Sequence, residues 1–263
     1  MKKLLFIINP MAGRQQAQTD LYKMVKIFAD HDYEVTVYPT RARLDCTRKV
    51  LEDAGRFDLV VCCGGDGTLN EMVSGMMQRQ DRRPMGYIPL GSTNDLAVSL
   101  RLPTRVEEAA LRAVTGNEFH MDVGTLNDRY FNYIAAFGAF TETSYATPQE
   151  IKNALGHLAY ILEGVKSLGK ILPIHVKITA DDEQFEEDYL FGAVTNTISL
   201  GGVLKLDPEK VLLDDGMYEL LLVKNPTNAL EAQAMLTAIM TQNFDGPLVK
   251  MFHASDITFE SSH

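Results

Sequence analysis

The stretch Cys63-Gly64-Gly65-Asp66-Gly67-Thr68-Leu69-Asn70-Glu71 follows directly on the apolar run Leu59-Val60-Val61-Cys62. A buried strand opening into glycines and then a helix leaves backbone N–H groups free to face an anion, with no side chains in the way. A helix starting near Thr68 adds the positive end of its dipole, so the loop is suited to phosphate. Asp66 in its middle would repel such a ligand unless a divalent cation or a polarised hydroxyl lay between them. The combination suggests a nucleoside triphosphate with Mg2+ and points to phosphoryl transfer. Two other loops share the small, hydrogen-bonding character: Asn9-Pro10-Met11-Ala12-Gly13 and Pro89-Leu90-Gly91-Ser92-Thr93-Asn94-Asp95. Two common phosphate signatures are absent. The only Gly-Lys pair, Gly169-Lys170, precedes Ile171, and Asn70 stands where a Gly-x-Gly-x-x-Gly counted from Gly65 needs its last glycine.

These loops need a frame. Strand-like runs at Lys3–Asn9, Glu34–Tyr38, Asp58–Cys63 and Gly86–Leu90 alternate with helical patterns at about 19–30, about 43–54, from Thr68, and in short pieces to about 115. Leu69, Met72, Val73 and Met76 fall at helical spacing, which reads as core packing before it reads as a binding face. Such alternation predicts a parallel sheet covered by helices, with ligands at the carboxyl ends of the strands, where the three loops lie. From about residue 118 the pattern changes to the runs His120–Leu126, Tyr130–Phe137, Ile174–Thr179, Tyr189–Val194, Met217–Val223 and Ile257–Glu260, separated by turns, as in an antiparallel domain. A long helix with Ile151, Ala154, Leu155, Leu158, Ile161, Leu162, Val165 and Leu168 on one face interrupts it. Packing on a sheet accounts for that face, and part of it could instead line a slot for an acyl chain. The expected domains are 1–120 and 121–263.

Charge agrees with a change near residue 120. Residues 1–120 carry 16 Lys+Arg against 15 Asp+Glu, whereas residues 121–263 carry 9 against 20. The net charge of −10 argues against general nucleic-acid binding. Cys46, Cys62 and Cys63 are odd in number and have neither a disulfide framework nor zinc spacing, and the six histidines are scattered. The apolar start Leu4–Ile8 stops at Asn9-Pro10, too short for a signal peptide or a membrane span. A soluble, cytoplasmic protein that meets membranes only peripherally is expected. Arg79, Arg82 and Arg83, with Arg41, Arg43, Arg48 and Lys49, are candidates for anionic headgroups or for an ordinary solvated face.

Taken in order, Asn9-Pro10-x-x-Gly13, Gly64-Gly65-Asp66-Gly67-Thr68-Leu69-Asn70-Glu71 and Pro89–Asp95 resemble the diacylglycerol kinase catalytic-domain family, and more narrowly its soluble bacterial lipid kinases. Asp122-Val123-Gly124, Phe131-Asn132 and Asp214-Asp215-Gly216 extend the resemblance over essentially the whole chain. It implies a Rossmann-like parallel α/β domain of the NAD kinase and phosphofructokinase kind, followed by a β-sandwich-like antiparallel domain. It further implies ATP and Mg2+ as cofactors and a lipid hydroxyl as acceptor, most simply diacylglycerol giving phosphatidic acid. Nucleotide contacts carried over are Asn9, Pro10, Gly13, Thr40, the run Gly64, Gly65, Asp66, Gly67, Thr68, Leu69, Asn70 and Glu71, and Ser92, Thr93 and Asn94. Asp66 and Asp95 would help to hold catalytic Mg2+ through water, with Asp122 as a further acidic position. A structural Mg2+ would be bound by Asp215 and the backbone of Leu212 and Met217. On its residues alone, Asp214-Asp215-Gly216 reads as an ordinary turn.

The family's general base is the glutamate of a late Asp-Gly-Glu segment. Here Asp-Gly occurs at 66–67, 215–216 and 245–246, followed by Thr, Met and Pro, and the sequence ends at His263. The expectation is a chain truncated at its C-terminal end that binds nucleotide but turns over slowly; full-rate lipid phosphorylation would contradict it. Two alternatives are an NAD kinase-like nucleotide kinase and a catalytically silent nucleotide- or lipid-binding module. The first shares the Gly-Gly-Asp-Gly-Thr loop but not usually the Ser/Thr-Asn-Asp loop. A homodimer is compatible with all of these readings.

Overall fold

The computed structural model describes residues 1–139, 172–202 and 204–261. It divides into two compact units, Met1–Asn132 and Tyr133–His263. The long helix expected over 151–168 lies outside the described residues.

The first unit is built on β1 (Lys2–Ile8), α1 (Gln16–Thr19), α2 (Leu21–Asp30), β2 (Tyr33–Pro39), α3 (Asp45–Asp53), β3 (Leu59–Gly64), α4 (Asp66–Met77), β4 (Met85–Pro89), α5 (Asp95–Ser99) and α6 (Val106–Thr115). All strand pairs are parallel, in the order β2-β1-β3-β4. The chain therefore steps to one side of β1 and then returns to the other, which puts the switch point of this sheet between the carboxyl ends of β1 and β3. Both central strands are buried on both faces, so they read as continuous apolar runs rather than alternating ones. Leu4, Phe6 and Ile8 join Leu59, Val61 and Cys63 in one core with Met24 and Phe28 of α2 and Val106, Ala109 and Ala110 of α6. Phe6 meets Phe28 edge-on at 5.2 Å. Burying each large apolar side chain contributes about 1.5–3 kcal/mol. The cysteines behave as small hydrophobes: all three are free and buried, and burial pushes the Cys63 thiol up to about 12.

Some boundaries differ from expectation for local reasons. The helical pattern of 19–30 breaks at Asp20, which stands just ahead of α2 without a side-chain cap bond, and α4 starts at Asp66, so Asp66 lies in its first turn rather than ahead of it. The run His120–Leu126 is a strand only over β5 (Gly124–Leu126), which pairs with β6 (Arg129–Phe131) through a turn that has Asn127 at φ 53. The run Tyr130–Phe137 is two strands, because the chain leaves the first unit at Asn132.

The second unit is antiparallel throughout its main sheet. Among the described residues its elements are β7 (Ile134–Gly138), β8 (Ile174–Ala180), β9 (Glu183–Thr195), β10 (Ser199–Leu200), β11 (Leu204–Lys205), β12 (Tyr218–Lys224), α7 (Ala229–Thr241), β13 (Val249–Ala254) and β14 (Ile257–Ser261). The order is β13-β12-β9-β8-β14, and the long β9 pairs with β8 through its first half and with β7 through its second. The helix α7 was not among the expected elements, although its start carries a capping signal. Asn228 Oδ1 accepts the Glu231 N–H at 2.9 Å, and the Glu231 carboxylate accepts the Thr227 N–H at 2.7 Å.

One ion cluster anchors the end of β2. Asp45, its side chain only 6% exposed, accepts from Arg48, from the Arg41 N–H at 2.9 Å and from the Tyr38 hydroxyl. The Arg48 guanidinium, helped by those donors against the cost of burial, lowers the Asp45 carboxyl from 3.8 to about 2. A lowered carboxyl stabilises the fold above its ordinary range, and that contribution is lost as pH falls from about 4 to about 2. Asp45→Asn is expected to cost about 1 kcal/mol at neutral pH, because Arg48 is half exposed and screened by water. The acid limb of a urea-denaturation series should become shallower; an unchanged limb would remove the cluster from the stability of this unit.

Candidate functional site

The loops singled out by their chemistry leave neighbouring strands at one edge of the parallel sheet. Thr40 follows β2, Asn9–Gly13 follows β1, Gly64–Thr68 follows β3 and Leu90–Asp95 follows β4. Backbone bonds join each to the next strand: Thr40 N–H to Ile8 O (2.9 Å), Asn9 N–H to Cys63 O (2.9 Å) and Leu90 N–H to Gly64 O (2.7 Å). Asn9 also reaches Thr68 Oγ1 through Nδ2 at 3.4 Å. Pro10 and Met11 turn the chain outward, and Gly13 takes a φ of +60 that few side chains tolerate.

The second and third loops touch backbone to backbone. A Cβ on Gly91 would stand 2.6 Å from Gly65 Cα, and one on Gly64 would meet Thr68 Oγ1 at 2.4 Å. The contact is locked through Asp66, whose Oδ2 accepts from Thr93 Oγ1 and from the Asn94 N–H, both at 2.9 Å. Asn94 holds the turn in the left-handed region (φ 54), with Oδ1 accepting the Gly91 N–H at 2.7 Å and Nδ2 donating to Gly91 O at 3.0 Å. The Tyr87 hydroxyl lies 3.3 Å from Gly64 O and 3.2 Å from Asn94 Oδ1, bridging the two loops. Tyr87 was not anticipated, because nothing in its strand pattern says where its hydroxyl ends.

What the loop leaves unused is as informative. Asp66 is 9% exposed, yet its Oδ1 has no hydrogen-bond partner among the described residues, and the same holds for Asn70 Oδ1 one turn further along α4. Two buried oxygen acceptors without donors, one of them a carboxylate oxygen, are a costly arrangement that a hydrated hard cation would relieve. Gly67 differs from its neighbours: a Cβ there meets nothing within 4 Å. The protein does not need that glycine for its own packing, and the space beside the first turn of α4 is open. The residues present therefore fit Mg2+ and a phosphate group.

Other expected site residues are placed differently. Leu69 is 4% exposed and belongs to the packed face of α4. The Glu71 carboxylate accepts from the N–H groups of Leu44 (2.8 Å) and Cys46 (3.3 Å). Asp95 is 2% exposed in the first turn of α5, Asp122 is half-buried ahead of β5, and Ser92 is exposed. In the second unit Asp215 Oδ1 accepts the Met217 N–H at 2.9 Å, closing the turn after the exposed Leu212.

A model of the diacylglycerol kinase catalytic domain matches residues 3–126, and a model of the YegS C-terminal, NAD kinase beta sandwich-like domain matches residues 140–263. A diacylglycerol kinase of Bacillus subtilis (strain 168) is 37% identical over 226 residues, spanning 85% of this chain and 74% of the relative. The chain belongs to the diacylglycerol kinase family. Another family member, from Staphylococcus saprophyticus, is 31% identical over 261 residues and is covered over 85% of its length. The crystal structure of a diacylglycerol kinase from Bacillus anthracis strain Sterne superposes with a TM-score of 0.75 at 26% identity, covering all of this chain and 87% of that one. The expected fold, a parallel α/β unit followed by a β-sandwich-like antiparallel one, is therefore that of the family.

The arginines offered as headgroup contacts are largely spoken for. Arg79 donates to the carbonyls of Val50 and Leu51 and pairs with Asp81, and Arg83 donates to Gly55 O at 3.0 Å. Arg41 and Arg48 serve the Asp45 cluster, and Lys49 pairs with Asp53. Among the described residues no helix is long and apolar enough to cross a membrane.

The glycines separate packing from binding. Gly91→Ala is expected to destabilise the protein by about 1–3 kcal/mol, because backbone must give way. Gly67→Ala should leave stability unchanged or raise it by up to about 1 kcal/mol, since alanine favours the helix, while weakening nucleotide binding. Chemical denaturation of both variants beside titration with MgATP tests this; undiminished binding by Gly67→Ala would remove the phosphate from that position.

Proposed function

We propose that the chain is an ATP-dependent lipid kinase that transfers the γ-phosphoryl group of ATP to a lipid hydroxyl, with diacylglycerol as acceptor and phosphatidic acid as product. The observation that carries this reading is the state of Asp66: one carboxylate oxygen is fixed by the third loop and the other is buried without a partner, at a helix N-terminus flanked by an open glycine. Such a carboxylate does not itself bind phosphate. It orients a cation that does.

In this reading the N–H groups of Gly65–Thr68 and the Asn9 side chain receive the phosphates, and Thr40, Ser92, Thr93 and Asn94 border the nucleotide. Asp66 and Asp95 would help to hold Mg2+ through water, with Asp122 as a further acidic position, and Asn70 Oδ1 offers a further acceptor. When bound, Mg2+ would neutralise charge developing on the transferred phosphoryl oxygens. The locked Gly65–Gly91 contact keeps the donors of two loops in fixed positions, so little reorganisation accompanies the reaction. A second Mg2+ would be held by Asp215 and the carbonyls of Leu212 and Met217, oxygen donors of the type that ion prefers. With Arg79 and Arg83 engaged by α3 and Gly55, contact with a membrane surface would be peripheral and made by other groups.

The test is transfer of label from γ-labelled ATP to diacylglycerol in mixed micelles, with NAD as a competing acceptor. Label is expected in phosphatidic acid, Mg2+-dependent and reduced at least about 100-fold by Asp66→Asn, which keeps the Oδ bond to Asn94 but loses the charge. Because this sequence carries no late Asp-Gly-Glu, slow transfer is expected; label in NADP in place of phosphatidic acid, or transfer undiminished by Asp66→Asn, would overturn the assignment.

A further inference from the structure

We infer that Glu71 is a positioning residue for the nucleotide, acting through the strap Thr40–Leu44 and not by touching the ligand. The inference rests on the ATP site proposed above. Glu71 lies on α4, the helix whose first turn carries Asp66. Its two carboxylate oxygens accept the N–H groups of Leu44 and Cys46, and its own carbonyl accepts Thr47 Oγ1 at 2.9 Å. The helix α3 has no side-chain cap of its own. Leu44 occupies the cap position in the left-handed region, at φ 64, with a side chain that cannot accept a hydrogen bond. The first N–H groups of a helix have no partners inside it and carry the positive end of its dipole. A carboxylate brought from the neighbouring helix satisfies both conditions.

The far end of α3 is held in the complementary manner. The Arg79 guanidinium, just past the end of α4, donates to the Val50 and Leu51 carbonyls at the negative end of the α3 dipole. Between these clamps the helices touch at Gly75, where a Cβ would stand 2.8 Å from Thr47 O and 2.9 Å from Val50 Cβ. The strap enters α3 directly from the sheet. Its first residue, Thr40, is bonded to Ile8 O at the end of β1, and its last, Leu44, to Glu71. Glu71 thus ties Leu44, the last residue of the strap that begins at Thr40, to the same helix that presents Asp66 and the open Gly67. Thr40 stays held to Ile8 O, so loss of the Glu71 bonds would loosen the strap from its Leu44 end and shift the residues between Thr40 and Leu44 against a nucleotide whose phosphates stay on α4.

Calorimetric titration of the full chain with MgATP tests this on four variants and the unchanged protein. Glu71→Ala is expected to weaken MgATP by about tenfold, the size of one lost charge-assisted hydrogen bond. Glu71→Gln, whose amide oxygen can still accept the Leu44 N–H, should stay within about threefold of the unchanged protein. Glu71→Asp keeps the charge but not the reach, and should behave like the alanine variant even if that one fails to fold. Arg79→Ala releases the opposite end of α3 and should lower the melting temperature without changing MgATP affinity. Hydrogen exchange without nucleotide should show the Leu44 and Cys46 amides losing protection in Glu71→Ala. Unchanged affinity in both Glu71→Ala and Glu71→Asp, or equal weakening by Arg79→Ala, would reduce Glu71 to a general stabiliser and overturn the inference. Glu71→Gln as weak as Glu71→Ala would replace positioning by a direct charge contact. Failure of the unchanged protein to bind MgATP would overturn the ATP reading itself, and this inference with it.

Discussion

Gly65 and Gly91 meet with no room for a side chain between them, and the carboxyl edge of the parallel sheet is arranged around that contact. It brings the loop after β3 against the loop after β4, and it places Asp66 where Thr93 and Asn94 can hold one of its oxygens. Without the contact Asp66 would be an ordinary acid in the first turn of a helix, where a carboxylate is favourable and needs no further explanation. With it, one oxygen is fixed, the other is buried and unsatisfied, and the carboxylate acquires a direction. The asymmetry between the two oxygens sets Asp66 apart from a carboxylate that only caps its helix.

The same unit uses charge at helix ends in a purely structural way. Glu71 and Arg79 supply opposite charges to the two ends of α3, and Arg83 reaches the Gly55 carbonyl beyond it. This changes what the arginine-rich first half means. Counted along the chain, the cations suggest a surface awaiting anions. Seen in place, Arg79 and Arg83 are consumed by backbone carbonyls near the C-terminal end of α3. Charge asymmetry marked the change of domain character but did not reveal what the charges face.

In the second unit the polar residue that stands out is Glu219. It lies in β12 opposite Thr195 and His253, 1% exposed, with Oε2 unpartnered among the described residues and His253 Nε2 3.8 Å from Oε1. Burial, against a backbone hydrogen bond and with a smaller contribution from Asp215, pushes its carboxyl up to about 8. A strand pattern reads a glutamate as solvent-facing, and here the pattern misleads because the sheet is covered on both sides at that position.

The sequence by itself determined the order of strands and helices in the first unit, the glycine loops and the acid set among them. These follow from local rules: apolar runs, helical spacing, and glycine where the backbone must bend or be approached. It also carried the family resemblance, because ordered motifs survive as strings. It did not show that Asn132 ends one unit, that α7 exists, or that Leu69 and Glu71 face away from the loop they adjoin. Nor could it show the bridge made by Tyr87 or the fate of Arg79. The Glu71, Tyr87 and Arg79 bonds depend on partners 20 or more residues away, and the burial of Leu69 on which face of α4 is turned inward. The glycine loops and the acid set among them are legible locally. Which oxygen of Asp66 is free, and which acid merely holds a helix, is decided only when the sheet brings the loops together.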